Sequence, residues 1–266
     1  MADYPIAGGL GAKHSLKPTG FTFTRTDAAT ITLTPDGVDG KAYIPVSGGS
    51  DLITVVLSSA LTCALTTAGA GGLDTGSETA AKGYLVFLIT KAAGVDPVLV
   101  FVRSDLSTNS GDPTYPTGYT HKSKPIFFVC NNGGASNNDI LTFEHVGGKC
   151  FFTDIYTEMR ILTSGQATSV AAVDCTDFAP NDSIALIDIY VTNETNSYNS
   201  IWLHYLQSTN NMHYRGSVDS TTVTTGWCQW GEFFEIPMKS TSTSLYYKWK
   251  VTPSVGVYVN ARGFIL

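Results

Sequence analysis

The apolar residues of this chain come in short runs alternating with polar ones, and no long segment spaces them at i, i+3, i+4 and i+7. That pattern excludes a helical bundle and points to strands. Phe21-Thr22-Phe23-Thr24-Arg25 and Thr30-Ile31-Thr32-Leu33-Thr34 both read with period two, threonine falling on one side. Pro35-Asp36-Gly37 supplies a turn, and residues 41–46, 51–57 and 60–65 continue the alternation.

Residues 84–90 and 98–102 are two runs rich in β-branched and aromatic side chains, separated by Lys91-Ala92-Ala93-Gly94-Val95-Asp96-Pro97, and they predict a hairpin. A polar loop then leads to Tyr115-Pro116-Thr117-Gly118-Tyr119 and a further strand over 124–130. Val146-Gly147-Gly148 predicts a tight turn between 140–145 and 149–154. Later strands are expected over 173–178, 184–192, 201–207, 212–218, 226–236, 245–251 and 255–266, with Ile184, Leu186, Asp188 and Tyr190 sharing one face. Apolar density falls over 162–173, which places a domain boundary near residue 160. The expected fold is all-β: an N-terminal arm (1–20) followed by two antiparallel β-sandwich, jelly-roll-like modules (21–160 and 161–266).

At 266 residues the chain is long enough to bury roughly three quarters of its unfolded surface, so a core needs no metal or disulfide support. The formal net charge is −6 and the 16 basic residues are scattered. Lys122 and Lys124 form the densest basic pair, too little for a groove that tracks phosphates, so no nucleic-acid partner is expected. The start Met-Ala-Asp-Tyr-Pro lacks a basic segment followed by an apolar one, and no run of about 20 apolar residues occurs. A soluble product made in a cytoplasm, without membrane insertion, is the expectation.

The residues give little chemistry. The five cysteines, Cys63, Cys130, Cys150, Cys175 and Cys228, have no CxxC spacing and mostly end or interrupt apolar runs, as buried small hydrophobes do. The five histidines, His14, His121, His145, His204 and His213, contain no HxH or HExxH pair. Carboxylates fall mainly in turns, as at Asp36, Asp74, Asp96, Asp112 and Asp182, and Asp188 within a strand reads as a satisfied polar residue rather than a catalyst. The Gly-rich stretch 66–76 lacks the GK[ST] ending of a phosphate loop, and no GxSxG elbow occurs. No catalytic residue, cofactor or metal is expected. Trp202, Tyr205, Tyr214, Trp227 and Trp230 bring three of the chain's four tryptophans into one short span. Such rings form either a core or a face on which a glycan stacks. Trp227 and Trp230, three apart, would face opposite sides of a regular strand.

Two sets of residues carry a resemblance. Pro116, Gly118, Tyr119 and Lys122, then residues 126–129 and Asn131-Asn132-Gly133-Gly134-Ala135-Ser136-Asn137, resemble a module of tailed-bacteriophage tail-fibre and virion structural proteins, over about residues 20–155. Where those proteins carry an Arg-rich segment, this chain has Lys122-Ser123-Lys124-Pro125-Ile126. Ala179-Pro180, Phe234-Glu235-Ile236-Pro237-Met238 and the ending Val257-Tyr258-Val259-Asn260-Ala261-Arg262-Gly263-Phe264-Ile265-Leu266 are similar to a C-terminal sandwich module of phage tail proteins, with Phe264 in place of the usual Tyr. The resemblance implies a virion protein (tail fibre, tail-associated or head-decoration), made in the host bacterial cytoplasm and anchored through its N-terminal arm. It also implies a homotrimer whose partners are other virion proteins, itself and a host-surface glycan. A free carbohydrate-binding module and a polysaccharide-degrading fibre enzyme are the alternatives.

Overall fold

The computed structural model describes residues 17–104, 113–132, 139–153, 160–180, 183–193, 199–204, 214–218, 228–238, 244–253 and 256–266. The described residues contain no α-helix, and the fold is all-β. The expected arm lies almost wholly outside them, as does most of the Asn/Gly segment after Asn132.

The first unit comprises residues up to Thr79, Leu85–Arg103 and Ser107–Phe127. Strands β1 (Phe21–Arg25), β2 (Thr30–Pro35) and β5 (Leu61–Ala64) form a three-stranded sheet. A six-stranded sheet runs β4 (Asp51–Leu57), β3 (Ala42–Gly48), β8 (His121–Lys122), β6 (Gly83–Thr90), β7 (Val98–Arg103), and β9 (Phe127–Cys130) also pairs with β6. The expected hairpin is β6 and β7, joined by a short 3-10 turn at Ala92–Gly94, and a connection this short can join only antiparallel strands. Alternation sorts side chains as the sequence implies: Ala42, Ile44 and Val46 are buried, while Tyr43 and Ser47 are exposed. Phe23 stacks on Phe127 with ring centroids 4.3 Å apart. Each fully buried ring or aliphatic chain contributes about 1.5–3 kcal/mol.

The second unit takes Ala80–Tyr84, Ser104–Leu106 and Phe128–Leu266. Its six-stranded sheet runs β10 (Phe143–Val146), β11 (Lys149–Phe152), β19 (Gly256–Ile265), β14 (Ile184–Asn193), β17 (Cys228–Pro237), with β12 (Arg160–Gly165) also on β19. A four-stranded sheet runs β13 (Ala171–Asp174), β18 (Ser244–Trp249), β15 (Asn199–His204), β16 (Tyr214–Val218). Ala185, Ile187, Ile189, Val257 and Val259 of the larger sheet bury against Val173, Ile201, Leu245, Tyr247 and Trp249 of the smaller, which makes this unit a sandwich. The Gly147-Gly148 turn is present: Val146 faces Lys149 across it, and both glycines have positive φ (58° and 78°), as a type I′ turn requires. Pro237 ends β17, an edge strand, where the missing N–H leaves no ladder bond unmade.

The division falls at Phe127/Phe128 and not near residue 160. The reason is the last strand. Lys149, Cys150 and Phe151 pair with Ile265, Phe264 and Gly263, so the β10–β11 hairpin belongs with the C-terminus. A drop in local apolar density could not reveal a pairing across that sequence distance.

Candidate functional site

Of the aromatic residues singled out above, Trp202 is the best placed for recognition. It sits on β15, where register sets it beside Arg215 of β16 and Lys248 of β18. The neighbouring Ile201 is buried in the sandwich core, so Trp202 lies on the opposite face of the smaller sheet, where it is half-buried. The Lys248 ammonium stands over its ring, 5.4 Å from the centroid. Tyr214 pairs with Leu203 on the same sheet, one register step from Trp202. Trp230 pairs with Val191 on β17, in the other sheet. Tyr205 and Trp227 lie outside the described residues. Residues close in sequence are thus divided between two sheets at the passage from β16 to β17. Trp249 is a core residue, 1% exposed, whose indole N–H donates to the Gly165 carbonyl at 2.9 Å.

A second constellation occupies the larger sheet, on the face turned away from the core. Register aligns Asp188 (β14), Asn260 (β19) and Arg160 (β12) across three strands. Arg160 Nε donates to Asn260 Oδ1 at 3.3 Å, and its guanidinium stacks over the Tyr258 ring, 4.9 Å from the centroid. Arg262 Nη2 donates to Asp188 Oδ2 at 3.0 Å, with both side chains about a quarter exposed (26% and 22%). Asp188 is therefore ion-paired, the structural role its strand position suggested. Arg262 sits at a β-bulge: Gly263 pairs with Leu186 and Ala261 with Ile187, leaving Arg262 unmatched. A second irregularity lies in β12 between Arg160 and Leu162.

The motif residues of the two resemblances have structural assignments. Tyr119 N–H donates to the Pro116 carbonyl at 3.1 Å, and Gly118 at the third position of this turn has φ +88°, a type II geometry that favours glycine. Tyr119 packs on the cluster of Phe87, Ile89, Val100 and Val102. Gly263, at φ +146°, leaves no room for a side chain because a Cβ there would stand 1.8 Å from the Cys150 carbonyl oxygen. Phe264 after it is buried against Phe128 and Phe152.

Cys63, Cys130, Cys150 and Cys175 are buried free thiols, and burial pushes their ionisation up, to about 12 for Cys175. Neutral thiols of this kind are poor nucleophiles and poor metal ligands. Among the described residues no three His, Cys, Asp or Glu side chains gather as metal ligands, and no helix is long and apolar enough to cross a membrane. His121 is buried and shares a hydrogen bond between Nδ1 and Thr120 Oγ1 at 2.9 Å. The Gly-rich stretch 66–76 lies along β7: Gly71 N–H donates to the Leu99 carbonyl, Phe101 N–H to Gly72 and Asp74 N–H to Phe101. It covers a sheet edge.

No known protein family matches the chain, and no curated protein matches it. Among solved structures it is similar to a Bacillus thuringiensis Cry1Da tryptic core variant, at 10% identity and a TM-score of 0.20. The match covers 92% of this chain and 50% of that one, so the chain spans about half the length of that protein. A likeness this slight carries no argument.

Proposed function

We propose that this chain is a structural component of a tailed-bacteriophage virion, of the tail-fibre, tail-associated or head-decoration type. In this reading it assembles through its N-terminal region and contacts the host surface with its C-terminal unit. The supporting observation is that the residues of both resemblances occupy conformationally demanding positions in all-β units: Gly118-Tyr119 in a type II turn and Gly263-Phe264 at a bulge. Residues with such jobs persist in a scaffold whatever its loops bind. Among the described residues β4 ends its sheet with no strand beyond it, which supports self-assembly. That strand has no lysine or proline, pairs with β3 without a bulge and exposes Leu52 and Val56 (49% and 51%). Unprotected edges favour covering by a symmetry mate. The proposed partners are other virion proteins and further copies of the chain as a homotrimer, with neither nucleic acid nor membrane insertion.

A carbohydrate-binding module without catalysis is the second reading, favoured by the half-buried Trp202 on an outer sheet face. Electron microscopy of phage particles with an antibody to the chain separates the two. Label at the tail or head surface is the expected result, and particles without label would sink the virion reading. Light scattering then reads the mass in solution, where a monomer at working concentration counts against the trimer.

A further inference from the structure

We propose that the edge of β4 pairs with the same edge of a second copy of this chain, antiparallel and about a two-fold axis through the Thr54 pair. The inference deepens the self-assembly reading above and rests on it. A two-fold contact joins chains in pairs, so a trimer would be built through other surfaces and the β4 edges would join neighbouring assemblies.

The backbone decides which groups are on offer. On β3, Tyr43 N–H donates to the Thr19 carbonyl at 2.9 Å, and the Tyr43 carbonyl accepts from Thr19 N–H at 3.1 Å. A residue of an antiparallel strand points both groups to one side, so Tyr43 faces Val56 across a pair that shares no hydrogen bond. Alternation makes Pro45–Thr54 and Ser47–Leu52 pairs of the same kind. Pro45 suits this position, because its missing N–H falls on the side away from β4. The ladder between β3 and β4 therefore runs through Ile53, Val55 and Leu57, and Leu52, Thr54 and Val56 turn their N–H and C=O groups outward. Among the described residues no strand lies beyond β4 to take them.

The same three residues carry the exposed side chains. Leu52 and Val56 are 49% and 51% exposed, and Thr54 is exposed between them. Ile53 and Val55 turn the other way, toward the Ala92–Gly94 turn, where a Cβ on Gly94 would lie 3.2 and 3.5 Å from their Cγ2 atoms. Unpaired backbone and an uncharged row of side chains thus coincide on one edge, the combination that templates pairing with another strand.

The occupant follows from the strand's own sequence. Asp51-Leu52-Ile53-Thr54-Val55-Val56-Leu57 is complementary to its reverse. With Thr54 opposite Thr54, Leu52 meets the partner subunit's Val56 and Ile53 meets the partner subunit's Val55. The Thr54 pair and both Leu52–Val56 pairs are those with outward main-chain groups, so all of them exchange hydrogen bonds. An axis one residue away sets Leu52 or Val56 opposite a residue outside the strand. Asp51, the strand's one charge, falls opposite Leu57, which keeps the two carboxylates about 20 Å apart at ~3.4 Å per residue. No like charges meet. One strand and one row of side chains bury less than the roughly 1,200 Å² of specific, stable interfaces, so a dissociation constant on the order of 0.1 mM is expected. Copies held side by side in a particle supply effective concentrations of about a millimolar, which fills such a contact.

Sedimentation equilibrium of the full chain from micromolar to millimolar concentration, with amide hydrogen exchange read at both ends, tests this. Association in that range is expected, with exchange at Leu52, Thr54 and Val56 slowed only in the concentrated sample. Thr54→Lys and Thr54→Glu each set like charges face to face on the axis and are expected to weaken association about tenfold or more. An equimolar mixture of the two folded variants is expected to restore it, because lysine then faces glutamate. A chain that stays monomeric at millimolar concentration, variants that associate as the unmodified chain does, or a mixture no tighter than either variant alone would each overturn the proposal. So would slowed exchange at these amides at every concentration, which would put a segment of the same chain on the edge. A stable trimer in which the three amides exchange freely throughout overturns the β4 contact and leaves the trimer standing. The antibody label on particles tests the virion reading whichever way the pairing falls.

Discussion

The turn at Pro116–Tyr119 in the first unit and the bulge at Arg262–Phe264 in the second use the same local device, a positive-φ glycine followed by an aromatic ring, to different ends. Gly118 (φ +88°) has open space around it, the nearest atom to a Cβ being the flexible Lys91 Cε at 3.8 Å. Gly263 (φ +146°) has backbone there, the Cys150 carbonyl oxygen at 1.8 Å. The first glycine is needed for its dihedral angles alone, the second for its dihedrals and its missing side chain. The rings differ in the same sense. Tyr119 is half-buried, whereas Phe264 is 1% exposed and meets two other rings, Phe128 and Phe152. A phenylalanine at this position is what a fully enclosed ring requires, because a buried hydroxyl needs a partner.

The contrast breaks most sharply at Gly263. Gly263→Ala combines a strained φ with a backbone collision that only separation of β19 from β11 can relieve. A loss of about 4 kcal/mol is expected in denaturant unfolding of the second unit. A loss below about 1 kcal/mol would show that the bulge relaxes freely and that the two glycines are equivalent. Phe264→Tyr comes next. Enclosure of the added hydroxyl among rings should cost about 2 kcal/mol, read in the same experiment, and a neutral result would mean that the ring edge finds an acceptor.

The strands on which these motifs sit were legible because their determinants are local. Alternation in β2 and β3, β-branched and aromatic runs in β6 and β7, and Gly147-Gly148 between β10 and β11 each act within a few residues. What went unread is long-range. The unit boundary is set by Lys149–Phe151 pairing with Gly263–Ile265, and nothing in the intervening sequence marks that. Arg160 and Asn260 meet across 100 positions through register and a bulge, so the polar face had no sequence signal beyond Asp188 in an otherwise apolar strand. The aromatic span misled in the opposite way. Its members are neighbours along the chain, but the smaller sheet takes Trp202 and Tyr214 and the larger one takes Trp230.

Gly118→Ala sharpens the other side of the comparison. A methyl group fits in the open space, so only the left-handed dihedral opposes it, partly offset by lower entropy of the unfolded chain. A cost of about 1 kcal/mol in the first unit is expected. A cost as large as that at Gly263 would mean that the turn is held by contacts beyond its own hydrogen bond.

The smallest effect belongs to Lys91, which reaches over the same turn. Its ammonium stands 6.0 Å from the Tyr119 ring centroid and donates to Asp96 Oδ2 at 2.8 Å. The bond to Asp96 raises the lysine pKa above its ordinary 10.5. A cation whose folded pKa is raised stabilises the fold at all pH values below the unfolded one, and that contribution disappears as pH rises through the folded value. Lys91→Ala should therefore differ from the wild type at neutral pH and converge with it only well above pH 10.5. Because both partners are exposed, the neutral-pH difference should be barely resolvable in melting curves and should vanish in molar salt. A large, salt-resistant difference would place the apolar stem of Lys91, packed against Gly118 and Tyr119, among the contacts that hold the turn.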